Sequence, residues 1–192
     1  MKKIVITVLI LCLLLCAVAC GTEGQTITVI SREEGSGTRS AFAELTGVEQ
    51  DGIDRTAARA EISSSTAVVL QTVAGNKNAI GYISLGALNE QVKALKVDGT
   101  AASSATVKDG SYPLARHFLL GTLGENRPEV QDFLDYILSD LGQQVIGEAG
   151  YVTVSEGSYV ASDLSGTVKV AGSTSVAPVM EKLAEAYMAL NP

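Results

Sequence analysis

Histidine occurs once in the 192 residues, at His117. With no cysteine or acidic residue at ligand spacing, it reads as a partly buried or surface side chain rather than a metal ligand or general base. Cysteine is nearly as scarce. Two of the three, Cys12 and Cys16, fall within the apolar N-terminal run, and Cys20 follows it. A single cysteine beyond that run forms no internal disulfide. Basic residues number 14 against 21 acidic ones, for a net charge of −7, and nowhere form a run. This argues against nucleic acid as a partner. It does not argue against a small anion, because a local cradle of N–H groups holds one inside a negative protein. No metal-ligand cluster and no nucleophile beside a base is legible, so neither a cofactor nor catalysis is expected.

What is present is a strand, a glycine-rich turn and a helix start between Ile27 and Leu45. Ile27, Val29 and Ile30 are β-branched and read as a short buried strand. Gly35-Ser36-Gly37-Thr38 is a turn of small residues that brings backbone close to a ligand. Ala41, Phe42 and Leu45 then recur at helical spacing, so a helix begins near Thr38. The first N–H groups of a helix have no internal partner and carry partial positive charge, an arrangement suited to anions. Ser36 and Thr38 add hydroxyls, and Arg32 adds a planar two-pronged donor. A plainer reading has the small residues only shaping a tight turn and capping the helix, with Arg32 paired on the surface to Glu33 or Glu34. No Lys follows the last glycine, so the turn is not a nucleotide-hydrolysing loop.

At the start of the chain, Lys2 and Lys3 precede an apolar run from Ile4 to Val18. This has the charge and length of a secretory signal peptide, assigned to residues 1–19. Ala17-Val18-Ala19-Cys20-Gly21 resembles a bacterial lipobox, with cleavage before Cys20 and lipid on its sulfur. Ordinary secretion with Cys20 left free is the alternative. Residues 20–25 read as a polar tether.

The body alternates strands and helices, which points to α/β. Gly47–Arg59 is polar and turn-rich. A helix starts at Ser64 or Ser65 and carries Ala67–Ala74; Ser63–Thr66 either cap it or line a pocket. Ala79–Gly86 reads as a buried strand, Val92–Val97 as another, and Thr106–Gly110 as a polar turn or short helix. Tyr112–Leu120 is extended; Arg116 is expected by default to make a surface ion pair, with a functional role as the alternative. Pro128–Ala149 is helical, with Val130, Phe133, Leu134, Ile137, Leu138 and Leu141 on one face and Gly142 as a possible interruption. Tyr151–Val154 reads as a strand, and Ser155–Gly166 as a Ser/Gly-rich linker. Then Val168–Ala171, Gly172-Ser173-Thr174-Ser175 and a helix over Val179–Leu190 repeat the strand, turn and helix of the opening stretch. Two similar anion-cradling ends separated by a linker imply one ligand held between two lobes.

The segments Ser31–Phe42, Asn78–Gly86, Ser111–Leu114, Phe133–Ser139 with Gly142-Gln143 and Gly150-Tyr151 resemble the phosphate-binding proteins of ABC transporters, the PstS family. Gly172–Pro178 with Glu181–Ala184 resembles that family's opening β–turn–α, placed here at the end, so the order is permuted. The resemblance implies an α/β fold of the periplasmic-binding-protein type II, two-lobed and hinged. Residues 26–154 would form one lobe, 155–166 a linker, and 167–192 the first strand–turn–helix of a second lobe. That second lobe would lack on the order of 100 residues. It further implies extracytoplasmic capture of inorganic phosphate and delivery to an ABC permease, with the protein held at the membrane through lipid on Cys20. Arg32, Ser36, Gly37 and Thr38 would bind phosphate from one side; Thr174 through its hydroxyl and Ser175 through its backbone N–H would bind from the other. Another oxyanion such as sulfate or molybdate, a phosphate-ester hydrolase and a non-binding fragment are the alternatives. An Asp that accepts a proton from phosphate is expected outside this chain.

Overall fold

The computed structural model describes residues 26–154 and 157–192. The expected signal segment, Cys20 and the tether lie outside the described residues.

Strand β1 (Thr28–Arg32) runs into the turn and then helix α1 (Gly37–Leu45), capped by Ser36, whose hydroxyl accepts from the Arg39 N–H. Gly35 has φ +83°, a left-handed conformation that a side chain resists, and this lets the chain turn from strand into helix. The polar stretch that follows folds into a two-residue hairpin of β2 (Glu49–Gln50) and β3 (Ile53–Asp54). Strand β4 (Glu61–Ser63) leads into α2 (Thr66–Gly75), capped by Ser65, and β5 (Ala79–Ile80) follows. The parallel sheet has the order β4–β1–β5, with Arg32 opposite Ser63 and Val29 opposite Ile80. Its connections are helical, as parallel pairing requires. Helix α2 covers one face, burying Ile30 and Val69. Gly81 lies under α2 and Ile30: a Cβ there would stand 2.9 Å from Val69 Cγ1, so the close-approach glycine expected from the sequence is one. Both β1 and β4 end at the same edge, so Arg32 and Ser63 are delivered side by side at their carboxyl ends, where open α/β sheets bind ligands.

A second core forms from α4 (Pro128–Ile137), α5 (Asp140–Glu148) and α6 (Ala177–Leu190), which follow the short α3 (Ser104–Lys108). Phe133, Tyr136, Ile137, Tyr151, Val179 and Leu183 make its buried centre. The final helix therefore packs on the pair that precedes the linker. Tyr159 in the linker donates to Asp132 Oδ2 at 2.7 Å and lies 3.2 Å from Asn191 Oδ1, holding the connection against α4 and α6.

Several sequence expectations change. The helix over Pro128–Ala149 is two helices. The break falls at Leu138–Ser139, where the Ser139 hydroxyl caps α5, and not at Gly142. Gly142 is instead the contact that lets α5 turn against α4: a Cβ would stand 2.2 Å from the Tyr136 carbonyl oxygen. The apolar stripe rotates accordingly, with Tyr136 buried and Leu138 and Leu141 exposed. Of Ala79–Gly86 only Ala79–Ile80 pairs in the sheet, and Leu85–Ala87 forms a 3-10 turn. Val92–Val97 forms no strand; Val97 folds back on Thr100 in a single bridge around Asp98 and Gly99. Tyr151–Val154 forms no strand; its Val154 N–H is satisfied by Gln143 Oε1 at 2.9 Å. Val168–Ala171 likewise forms no strand, with no ladder partner among the described residues. A strand is defined by its neighbour's backbone, and β-branched composition does not supply one.

Candidate functional site

Arg32 ends β1 almost wholly buried, 2% exposed. A buried guanidinium must have its N–H groups met. Its Nε and Nη2 donate to the two carboxylate oxygens of Glu33 at 2.7 and 2.9 Å. Nη1 donates to Thr66 Oγ1 and Nη2 to Thr174 Oγ1, each at 3.1 Å. The pairing with Glu33 weighed from sequence is thus real, but it is not a surface pair, because only the Glu33 end reaches solvent. The hydrogen bond from Arg32 is the main cause of the lowered Glu33 pKa, which keeps that carboxylate ionised.

The backbone of Arg32 is held as firmly as its side chain. Its N–H donates to Tyr82 Oη at 3.0 Å, and the same Tyr82 oxygen lies 2.7 Å from Ser31 Oγ. The Tyr82 ring stacks on Phe42 of α1 with centroids 4.2 Å apart, tying strand end to helix start. The Arg32 carbonyl accepts from Arg39 Nη1 at 3.0 Å, and Arg39 Nε is bonded to Asp54 Oδ2 at 2.6 Å.

Two helix starts meet this guanidinium, and a third, that of α1, lines the same cavity. Ser36 caps α1, Thr66 is the first residue of α2, and Thr174 and Ser175 form the turn that enters α6. Ser175 Oγ lies 2.5 Å from Thr38 Oγ1 and 3.2 Å from Thr66 Oγ1. The turn is held from behind by Tyr151, whose hydroxyl donates to the Ser175 carbonyl at 2.8 Å. Gly86 makes room for that ring; a Cβ at 86 would stand 2.2 Å from Tyr151 Cε2.

The cleft between these segments encloses about 390 Å³ and is lined by Arg32, Glu33, Gly35, Ser36, Gly37 and residues 172–174. Four sequence-selected residues, Arg32, Ser36, Gly37 and Thr174, therefore face one cavity. Thr38 and Ser175 stand beside it, bonded to each other. Ser175 N–H, expected to face the ligand, donates to Ser173 Oγ at 3.2 Å. Among the described residues Arg116 makes no ion pair. It donates to the Gly37 carbonyl at 2.9 Å, beside the α1 start. Thr66 was read from sequence as a cap or pocket residue among four; its local signal was only that of a helix start, because its partners are distant in the chain. Glu33 likewise carries no local signal beyond being next to Arg32.

The fold is an α/β domain whose cavity, lined by hydroxyls, helix-start backbone, one buried arginine and the Glu33 carboxylate, lies at the carboxyl edge of a parallel sheet, a place suited to an anion. The chain belongs to the PBP superfamily, whose domain model matches residues 17–140. It is 49% identical to the phosphate-binding protein PstS 2 of Streptococcus pneumoniae serotype 4, over 91% of this chain and 65% of that protein. The chain thus spans less than two thirds of the length of the curated relatives it matches. A match of that extent runs across the 155–166 linker, so the order of segments here is shared with the relative. The fold is similar to the crystal structure of a phosphate-binding protein of a phosphate ABC transporter from S. pneumoniae, with TM-score 0.68, 50% identity, and 87% of this chain and 67% of that one covered. It also resembles a putative phosphate ABC transporter substrate-binding protein with bound phosphate from Clostridium perfringens, with TM-score 0.62, 37% identity, and 67% and 52% covered.

Proposed function

We propose that the protein binds inorganic phosphate outside the cell and delivers it to the permease of an ABC transporter, without catalysing a reaction. The observation that carries this reading is the buried Arg32 guanidinium, bonded to Thr66 at the start of α2 and to Thr174 before α6, with the start of α1 lining the same cavity. A dehydrated oxyanion needs its lost water replaced by donors, and N–H and O–H dipoles with one arginine provide them without surplus charge. Arg32, Ser36, Gly37 and Thr174 are the contacts, with Thr38 and Ser175 closing the side of the cradle. The relatives named above are phosphate-binding proteins, and one of them holds phosphate.

Glu33 favours phosphate over sulfate. Its carboxylate lines the cavity and is held ionised. An anion that carries its own proton can donate to that oxygen, whereas sulfate offers none and meets repulsion. An acceptor was expected only from residues outside this chain; Glu33 supplies one inside it. The resemblance of Ala17–Gly21 to a lipobox supports secretion and membrane attachment through lipid on Cys20.

Calorimetric titration of the full-length protein tests the reading. Phosphate should bind, sulfate should compete poorly, and Arg32→Ala should weaken phosphate binding by about a hundredfold or more. Undiminished affinity in that variant would sink the assignment.

A further inference from the structure

We propose that Thr66 is the positioning residue that joins the two halves of the anion cradle, acting through its hydroxyl. The proposal rests on the phosphate reading above and adds to it a residue that does not itself face the cavity.

Thr66 is 4% exposed. Capping of α2 does not need its hydroxyl, because Ser65 Oγ accepts from the Val68 N–H at 3.2 Å. Thr66 Oγ1 instead meets groups from both halves. Arg32 Nη1, at the end of β1, lies at 3.1 Å, and Ser175 Oγ, in the turn before α6, at 3.2 Å. Thr174 Oγ1 is a third neighbour at 3.5 Å. The pairs are separated by 34, 109 and 108 positions in sequence, so this oxygen is a tertiary junction.

The chemistry gives the junction a direction. A guanidinium only donates, so Thr66 Oγ1 turns a lone pair to Arg32. The positive charge there sends the hydroxyl proton away, toward Ser175 Oγ. Ser175 then donates to Thr38 Oγ1, 2.5 Å on, and the Thr38 proton is left for an acceptor beyond the pair. Hydroxyls aligned this way polarise one another, and each is a better donor than it would be alone. Removing the Thr66 oxygen leaves Nη1 of Arg32 without this partner and frees Ser175 to reverse. The half-sites then lose both their common anchor and the direction of their donors.

Two substitutions separate this role from simple packing. Thr66→Val keeps the volume and the branch but removes the hydroxyl; Thr66→Ser does the reverse. Titration of the full-length variants with inorganic phosphate, alongside their melting temperatures, reads the difference. The expected order is Thr66→Ser within about threefold of the unsubstituted protein and Thr66→Val weaker by about tenfold or more. The opposite order, or two unchanged affinities, overturns the proposal. If Thr66→Val does not fold, Ser175→Ala carries the test: it leaves Thr66 in place and breaks the next link, and an unchanged affinity overturns the proposal equally. If the unsubstituted protein binds no phosphate, the phosphate reading itself falls and this inference falls with it.

Discussion

Arg32 and Thr174 stand 142 residues apart in the chain and 3.1 Å apart in space. The first closes the central strand of the sheet; the second opens the last helix. Their hydrogen bond crosses from the sheet core to the three-helix core, so cavity geometry depends on how those two cores are packed. Among the described residues, four of the five N–H groups of Arg32 already have protein partners. An incoming anion therefore takes the fifth or displaces Glu33 or Thr174, and affinity reports on the whole arrangement.

Arg32→Lys should not rescue the loss expected for Arg32→Ala. An ammonium is a point donor and cannot meet Glu33, Thr66 and Thr174 together as the planar fork does. Phosphate affinity is expected to fall by about tenfold or more. Calorimetry decides it: near-normal affinity in the lysine variant would show that charge alone suffices.

Tyr82→Phe removes the oxygen that accepts from the Arg32 N–H and meets Ser31 Oγ, while keeping the ring stacked on Phe42. A stability loss of about 1–2 kcal/mol is expected, together with weaker phosphate binding. Denaturant unfolding and titration of the same sample measure both. A fully stable variant would mean that water replaces the hydroxyl.

Gly142→Ala should be among the most damaging single-methyl changes in the protein. The added Cβ would meet the Tyr136 carbonyl oxygen at 2.2 Å and Ile137 Cα at 2.8 Å, and backbone does not swing aside as a side chain does. The expected cost is about 3 kcal/mol or more, read as a lowered unfolding midpoint. A midpoint equal to that of the unsubstituted protein would refute the tight turn between α4 and α5.

Acid should loosen the support of Arg32 through Asp54. Hydrogen bonds from the Thr56 hydroxyl and N–H, then from Arg39, lower the Asp54 pKa from 3.8 to about 2. A carboxylate with a depressed folded-state pKa stabilises the fold above its unfolded value, and that contribution is lost as pH falls through the folded one. Stability should therefore drop between about pH 4 and pH 2. Asp54→Asn should show a shallower fall over that range. Parallel melting curves against pH check this, and identical slopes would rule it out.

The sequence by itself determined the local units. Gly35 through Thr38 announces a tight turn and a helix start because small, hydroxylated residues satisfy helix ends through contacts a few positions away. The same locality made the cap at Ser65 legible; with the family resemblance beside it, Arg32, Ser36, Gly37 and Thr174 came forward, and these four line one cavity. Strands outside the sheet were misread because composition records a preference for extended backbone, while a ladder needs a neighbour that only the fold supplies. The break at Ser139 was missed for a related reason: Gly142 is a glycine because α4 lies against it, which no helical period reveals. Tertiary structure alone decided that Thr66 and Thr174 complete the surroundings of Arg32, that Tyr82 holds its backbone and Tyr151 the Ser175 turn, and that the exposed Arg116 reaches the Gly37 carbonyl. Most of those contacts join residues dozens of positions apart, and their hydrogen bonds exist only once the two cores have packed.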